Sequence, residues 1–471
     1  MQTLQLIQSK KDIAQISNFD QQLLKKKIRE YANASPFVTT NTINPKTPWH
    51  RPLRSQDLAA MDLETPLSID EITSNRGLLL HRMLLSIYEQ SMLFLPQKGL
   101  SSDGLTKFRS FYHPELVALG REICSYLEWL LFSFLDAEIE ITGNWTFGKM
   151  ESYFLNVIHD QEQKPSELLA RIHQTRDPKN AIQYLLMQQA PDFLSEASAM
   201  GRATIGNFGP LQSELIKVYI DEIGYGIHGK KHSTLFEHCL QSVGLSKEIH
   251  EYYFHYLPSS LVLTNYFHYI CANKNCWFRY IGALYYTEAS IPHFNKQISH
   301  SLRQIFGKGT INTGYFDEHT HIDKHHRRMV LDDIVKPSVE LYGPVIIPDM
   351  IAGFEAFRCL QEYADLDYMQ QLDFMEGLSP LRETDLMTEI NYETIGPVIQ
   401  FSEPKGELSY SHIHEMDELF TIVRGQMYFF AGPSSLELNP GDSVIIPAGR
   451  LHGSLVKSDD CVYAVQPIKR G

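Results

Sequence analysis

From His412 to Gly425 the chain reads HIHEMDELFTIVRG, and from Gly441 to His452 it reads GDSVIIPAGRLH. His412 and His414 are two apart, so on a strand both side chains leave the same face; Glu418, six on from His412, shares their parity. Gly425 and then Met427-Tyr428-Phe429-Phe430 read as a turn and a return strand. Gly441-Asp442 is a second turn signal, followed by a strand to Ile446, a Pro447/Gly449 break and His452. Three imidazoles converging inside a small β-structure suit a divalent first-row metal with coordination positions left open.

Around this pair, residues from about 390 onward alternate in short β-rich stretches (VIQFSEP, MYFFAG, SVIIPAG) cut by Gly and Pro, as in a small closed antiparallel barrel. A linker and a helical stretch fill 338 to about 377. Upstream, from Pro114 to about Val335, helix-length periodic segments follow one another, an all-α bundle of ordinary domain size. Breaks are expected at GNFGP (206–210), GYGIHG (224–229) and IPHF (291–294). Residues 1 to about 110 carry helices around a Pro-rich segment, with one long amphipathic helix expected over Ile69 to Gln97. They hold no chemistry-bearing cluster, so their apolar stripe is expected to form a homodimer interface.

Within the bundle the segment Asp317 to Met329 reads DEHTHIDKHHRRM. On a helix His319, Asp323 and His326 fall within about 60° of one another, whereas His321, His325 and Arg328 fall on the opposite face. Two imidazoles and a carboxylate at this spacing make a half-site for iron. Glu196, Glu222 and Glu288 lie in apolar surroundings, and His232 opens a helix after a glycine-rich break. Taken singly, each carboxylate is more often a surface or capping group. Buried together without cations they would cost several kcal/mol each, on the order of the penalty for an unpaired buried charge.

Composition narrows the class. The chain has 471 residues, and 28 Gly and 23 Pro without a repeat exclude collagen-like and low-complexity readings. With 42 Lys and Arg against 56 Asp and Glu the formal charge is -14, which argues against nucleic acid or an anionic membrane as the main partner. Six cysteines without a CxxC make no disulfide framework, and Cys271 and Cys276 read as packing residues of a reduced, cytoplasmic protein. No signal-like segment opens the chain, and the most apolar stretch, Tyr126 to Leu135, is about half a membrane span and contains Glu128.

The two C-terminal motifs resemble those of the cupin family, G-x5-H-x-H-x3-4-E-x6-G and G-x5-P-x-G-x2-H, matched by Gly406, His412, His414, Glu418, Gly425 and by Gly441, Pro447, Gly449, His452. The order Glu196, Glu222, His232, Glu288, His319-x3-Asp323-x2-His326 resembles the heme-oxygenase-like diiron oxidases. The run EIGYGIHGKKHSTLFEHCL is similar to their E-x9-H-x2-L-F segment. Together, in this order, the domains resemble the N-nitrosourea synthases of natural-product biosynthesis. The resemblance implies a multidomain chain: an N-terminal helical dimerisation region (1–110), an all-α heme-oxygenase-like diiron bundle (114–335) and an all-β cupin barrel (338–471, barrel about 390–470). It implies two ferrous irons held by those seven residues and a third held by His412, His414 and His452, with Glu418 either a ligand or a partner of one.

Dioxygen is the implied co-substrate, with an external reductant and a small guanidine or amine substrate. In the family, the diiron domain hydroxylates guanidine nitrogens of Nω-methyl-L-arginine and the cupin iron rearranges the product to an N-nitrosourea. Two other readings stay open on the residues: a diiron N-oxygenase of a different amine, and a non-catalytic sensor built on the cupin.

Overall fold

The computed structural model describes residues 20–40, 42–43, 47–206, 209–382 and 392–470. Two compact units emerge, and neither is a single run of sequence. Of the described residues, one unit, helical, takes those within 20–24, 125–249 and 262–365, and the other joins those within 25–124 and 250–261 to those within 366–470. None of the described helices is long and apolar enough to cross a membrane.

The helical unit is built on α4 (Phe147–Glu162), α5 (Pro178–Phe193), α6 (Ser198–Ala203), α7 (Pro210–Glu222), α8 (His232–Ser242), α9 (Pro258–Ala272, from Val262), α10 (Trp277–Phe306), α11 (Gly314–Met329) and the first part of α12 (Ile347–Gly377). The break expected near Pro292 does not occur: α10 runs through it for 30 residues. Pro292 removes one backbone donor, yet α10 is fastened to α11 on both sides of it. Glu288 Oε2 meets His326 Nδ1 at 3.2 Å before the proline, and Asp317 accepts from Ser299 at 2.7 Å after it. Tertiary contacts therefore override the local breaker.

The stretch read as a linker helix is a second correction. The first part of α12 belongs to the helical unit. A Cβ on Gly282 would lie 1.8 Å from the Met350 carbonyl oxygen, and one on Gly353 1.9 Å from that of Arg279. The reciprocal glycines let α10 and α12 cross backbone against backbone. Phe354 then stacks on Phe154 with ring centroids 4.2 Å apart, covering the crossing.

In the second unit α1 (Gln21–Ala32, mostly within it), α2 (Asn75–Glu89) and α3 (Pro114–Phe132, up to Cys124) accompany the β-structure. The helix expected over 69–97 is shorter. Ile69–Thr73 forms a separate 3₁₀ turn closed by a Ser68/Glu71 capping box, and Ser74 then caps α2 by accepting from Gly77 N at 3.0 Å. Every residue of α2 from Arg76 to Glu89 is buried. The stripe assigned to a dimer interface is thus covered within the chain. Its charges are paired inside: Glu89 accepts from Arg51 and lies 2.9 Å from His250 Nε2, all three side chains fully enclosed.

Among the described residues nine strands form two antiparallel sheets: β1 (Tyr392–Thr394), β2 (Ile399–Glu403), β3 (Leu408–His412), β4 (Glu418–Arg424), β5 (Met427–Ala431), β6 (Ser434–Leu438), β7 (Ser443–Ile446), β8 (His452–Val456) and β9 (Cys461–Arg470). One sheet runs β1-β9-β4-β7 with β2 also on β9; the other runs β3-β8-β5-β6. They pack through Phe420 and Phe429, 5.7 Å between centroids.

Because the glycine crossing has no room for a methyl, Gly353→Ala should lower stability by about 2–3 kcal/mol, the usual cost of forcing atoms into a packed interior. Thermal unfolding followed by circular dichroism checks it; Gly377→Ala, at a position open to solvent, should leave the midpoint unchanged.

Candidate metal centres

The helical unit gathers all seven anticipated side chains. Among the described residues, Glu196, Glu222, His232 and His319 form one donor group and Glu222, Asp323 and His326 another, each with candidate ligand atoms within 4.8 Å of one another. Glu222 belongs to both. Glu288 closes the second group through its 3.2 Å approach to His326 Nδ1.

Local structure explains the convergence. Glu222 ends α7 and His232 begins α8, and the loop between them doubles back at Gly224, where φ is 63° and a Cβ would lie 2.4 Å from Lys231 N. That turn brings His232 Nδ1 to 2.6 Å from Glu222 Oε2. Glu196 lies in the break between α5 and α6, beside Ala197 at φ 65°, a left-handed conformation uncommon for a residue with a Cβ and frequent near functional groups. His319, Asp323 and His326 are buried along one face of α11, while His321 and His325 are exposed. The helix then widens into a π-turn at Val330–Val335.

Hydrogen bonds orient the donors. His319 Nδ1–H donates to the Tyr315 carbonyl at 2.9 Å, which leaves Nε2 aimed at Glu196 Oε1, 3.2 Å away. The Tyr315 hydroxyl donates to the same Glu196 oxygen at 3.0 Å. His326 Nε2 lies 3.0 Å from Asp221 Oδ2, so Asp221 is placed to accept from one ring nitrogen while the other faces the cluster, the arrangement that orients a histidine ligand. Asp221 was not anticipated; its signal is the Asp-Glu pair that ends an apolar-periodic helix.

The charge balance is that of a cation site. Burial pushes the Asp323 carboxyl well above its usual range. Burial alone would depress His319 and His326, but the neighbouring carboxylates outweigh it: Glu196 and Asp323 hold His319 well above its ordinary value, and Glu288 raises His326 to about 10. Glu196 Oε2 and Asp323 Oδ1 are enclosed without a hydrogen-bond partner. Hard carboxylate oxygens with a few imidazoles, some aimed at nothing else, fit a pair of ferrous ions, whose binding would displace imidazole protons.

The cupin triad has the opposite balance. His412, at the end of β3, stands in register with His452, the first residue of β8. His414 lies just beyond the strand rather than on it, yet the three ring centroids are 4.4 to 4.8 Å apart. His412 Nδ1–H donates to the Tyr410 carbonyl at 2.9 Å and His452 Nδ1–H to that of Arg450 at 3.0 Å, so both present Nε2. Burial holds His412 well below its ordinary pKa and His452 down to about 3, neutral as a ligand must be. Glu418, at the start of β4, lies against His414 Nδ1, and both contacting atoms lack a hydrogen-bond partner. Three convergent imidazoles fit a single divalent metal.

A pocket opens on the helical cluster, walled by Asp192, Ser195, Phe267, His268, Leu284 and Thr287 beside the donors.

Comparison with known proteins bears on these two centres. Residues 183–361 match a family model of iron-containing redox enzymes and residues 400–464 match a cupin domain model. All seven helical donors fall in the first range and the triad in the second. The chain is 42% identical over 456 residues to a nitrosourea synthase of Streptomyces achromogenes subsp. streptozoticus, covering 94% of this chain and 95% of that one. Among solved structures, a heme-oxygenase-like domain of unknown function from Shewanella denitrificans matches at 14% identity over 50% of this chain and 97% of its own, TM-score 0.39. A cupin-2 protein from Shewanella frigidimarina matches at 21% identity over 20% of this chain and 80% of its own, TM-score 0.14.

On this geometry His319→Ala or His326→Ala should cut the iron bound by the helical centre and leave that of the cupin, whereas His321→Ala should change neither. Elemental analysis after anaerobic reconstitution measures this; equal losses in the His319 and His321 variants would show that α11 presents a different face.

Proposed function

The chain belongs to the nitrosourea synthase family, and on that premise we propose an iron- and oxygen-dependent oxygenase with two centres in sequence. That it is an iron-containing redox enzyme follows from the family itself. The proposal adds the substrate and the division of labour. The helical centre hydroxylates guanidine nitrogens of an arginine derivative such as Nω-methyl-L-arginine, and the cupin centre rearranges the hydroxylated product to an N-nitrosourea. The observation that carries it is the single pocket wall on which carboxylate and imidazole donors converge, next to a carboxylate they do not use.

Glu196, Glu222, Glu288, Asp323, His232, His319 and His326 would hold two irons, and His412, His414 and His452 a third. Iron, once bound, supplies dioxygen activation and the redox steps; a reductant comes from outside the chain. The chain's own groups do the rest. Tyr315 steadies Glu196 and Asp221 holds the ring of His326, so neither donor rotates away. Asp192 opens on the pocket, its carboxyl pushed up to about 7 by burial and by the charge of Glu196. Such a group favours a cation beside it, and a guanidinium offers two parallel N–H donors to one carboxylate. Phe267 and Leu284 keep the pocket wall apolar, which limits water around the reacting nitrogen.

A cytoplasmic homodimer remains part of this reading through the family resemblance alone, the stripe of α2 being covered; light scattering of the full chain tests the assembly.

Product analysis by mass spectrometry, with ferrous iron, oxygen, a reductant and Nω-methyl-L-arginine, tests the whole proposal. His412→Ala, His414→Ala and His452→Ala should each accumulate a hydroxylated guanidine while the N-nitroso product disappears. Undiminished N-nitroso product from His452→Ala would make the cupin structural, and turnover of a different amine only would replace the substrate.

A further inference from the structure

The 54–82 segment touches the cupin at three alternate residues. Arg54 Nη1 donates to Ser409 Oγ at 3.0 Å; Arg82 donates to the Ser411 carbonyl at 2.9 Å and to Ser411 Oγ at 2.7 Å; Asn75 Oδ1 accepts from Ile413 N at 3.3 Å. Those residues bracket His412. The strand that carries them needs such support for two reasons. β3 ends its sheet, so among the described residues no strand neighbours one side of its backbone. Its pairing with β8 also slips between Ser409 and His412, so that Tyr410 and Ser411 stand opposite the single Gly453. Gly453 cannot be larger: a Cβ there would lie 2.7 Å from both Phe254 Cζ and the Ser409 carbonyl oxygen.

Arg82 is built for this place. It is 2% exposed, in the middle of a helix whose residues from Arg76 to Glu89 are all buried. Its guanidinium lies between the rings of Tyr253 and Tyr410, 5.3 and 5.5 Å from their centroids, and also donates to the Tyr253 carbonyl at 3.3 Å. A planar, permanently charged fork can satisfy a carbonyl and a hydroxyl of one residue together, which a lysine cannot do. The Tyr410 carbonyl in turn fixes the Nδ1–H of His412.

We propose that Arg82, with Asn75 and Arg54, positions the cupin metal ligand His412 by replacing the strand neighbour that the bulged β3 edge lacks. Residues 54–82 are then part of the cupin centre. The inference rests on the triad being a metal site and on nothing about the substrate.

The test is ferrous iron binding at the triad of the full-length protein without substrate, followed by EPR of the nitric oxide adduct, with iron at the helical centre as the internal control of folding. Arg82→Met should weaken binding at the triad by about 10- to 100-fold, the usual effect of losing a group that orients a ligand, and alter the EPR signature while the helical iron is retained. Arg82→Lys should recover it only in part. Affinity and signature within twofold of the parent would overturn the inference. If Arg82→Met does not fold, Ser411→Ala and Asn75→Ala, each removing one contact, decide in the same way. A parent protein that binds no iron at the triad refutes the two-centre function instead, so the two failures are told apart.

Discussion

Everything in the helical unit is arranged around a cost. Glu196, Glu222, Glu288, Asp323 and Asp221 bring five carboxylates within reach of three imidazoles in a largely closed interior. Like charges so placed repel one another strongly in a poorly solvated site, and unpaired they would each cost several kcal/mol, on the order known for buried ions. Cations must offset that cost. Imidazolium protons do so in part, as the raised pKa values of His319 and His326 indicate, and divalent metal would do so more completely. The reciprocal glycine crossing of α10 and α12 supplies the rigidity, since α10 carries Glu288.

The sharing of Glu222 between two donor groups limits how far the two halves can be separated. His232 lies on one side of it and His326 Nδ1, 3.6 Å from Oε1, on the other. The position of each depends on the short loop closed at Gly224. A change in that loop would therefore be felt in both halves together.

Legibility in the sequence followed the range of the interactions. The α11 face was readable because a helix repeats locally, and residues 319, 323 and 326 carry their own geometry. The cupin triad was readable from alternation and turn spacing, although His414 proved to lie past the end of its strand. Glu196 was nominated from its sequence neighbours and the resemblance rather than from a helical spacing: next to a left-handed alanine, it becomes a donor through the packing of α5 against α11. Asp221 and Arg82 escaped, each looking like an ordinary helix residue until its distant partner is known. Pro292 misled because local propensity is overruled by contacts on both of its flanks. The run RGLLLHRMLLSIYE held a clue that α2 is enclosed: Arg82, His81 and Glu89 lie along an otherwise apolar helix, and such groups are buried only with partners.

The two centres differ in charge in a way that suits different tasks. An anionic, carboxylate-rich set favours higher oxidation states and can shift its coordination, which fits oxygen transfer to a nitrogen held by an adjacent carboxylate. In the triad burial holds His412 and His452 below their ordinary pKa, and backbone carbonyls fix the rings of these two, beside a strand edge that Arg82 contacts. Imidazole ligands would leave more of a bound metal's charge uncompensated than carboxylates do, so an anionic or chelating ligand would be drawn to the open positions. A hydroxylated guanidine is such a ligand and an unmodified guanidinium is not. Under the proposed function electrostatics would then order the two steps: a cation would be taken up beside the carboxylates, and only after hydroxylation would it become a partner for the histidines.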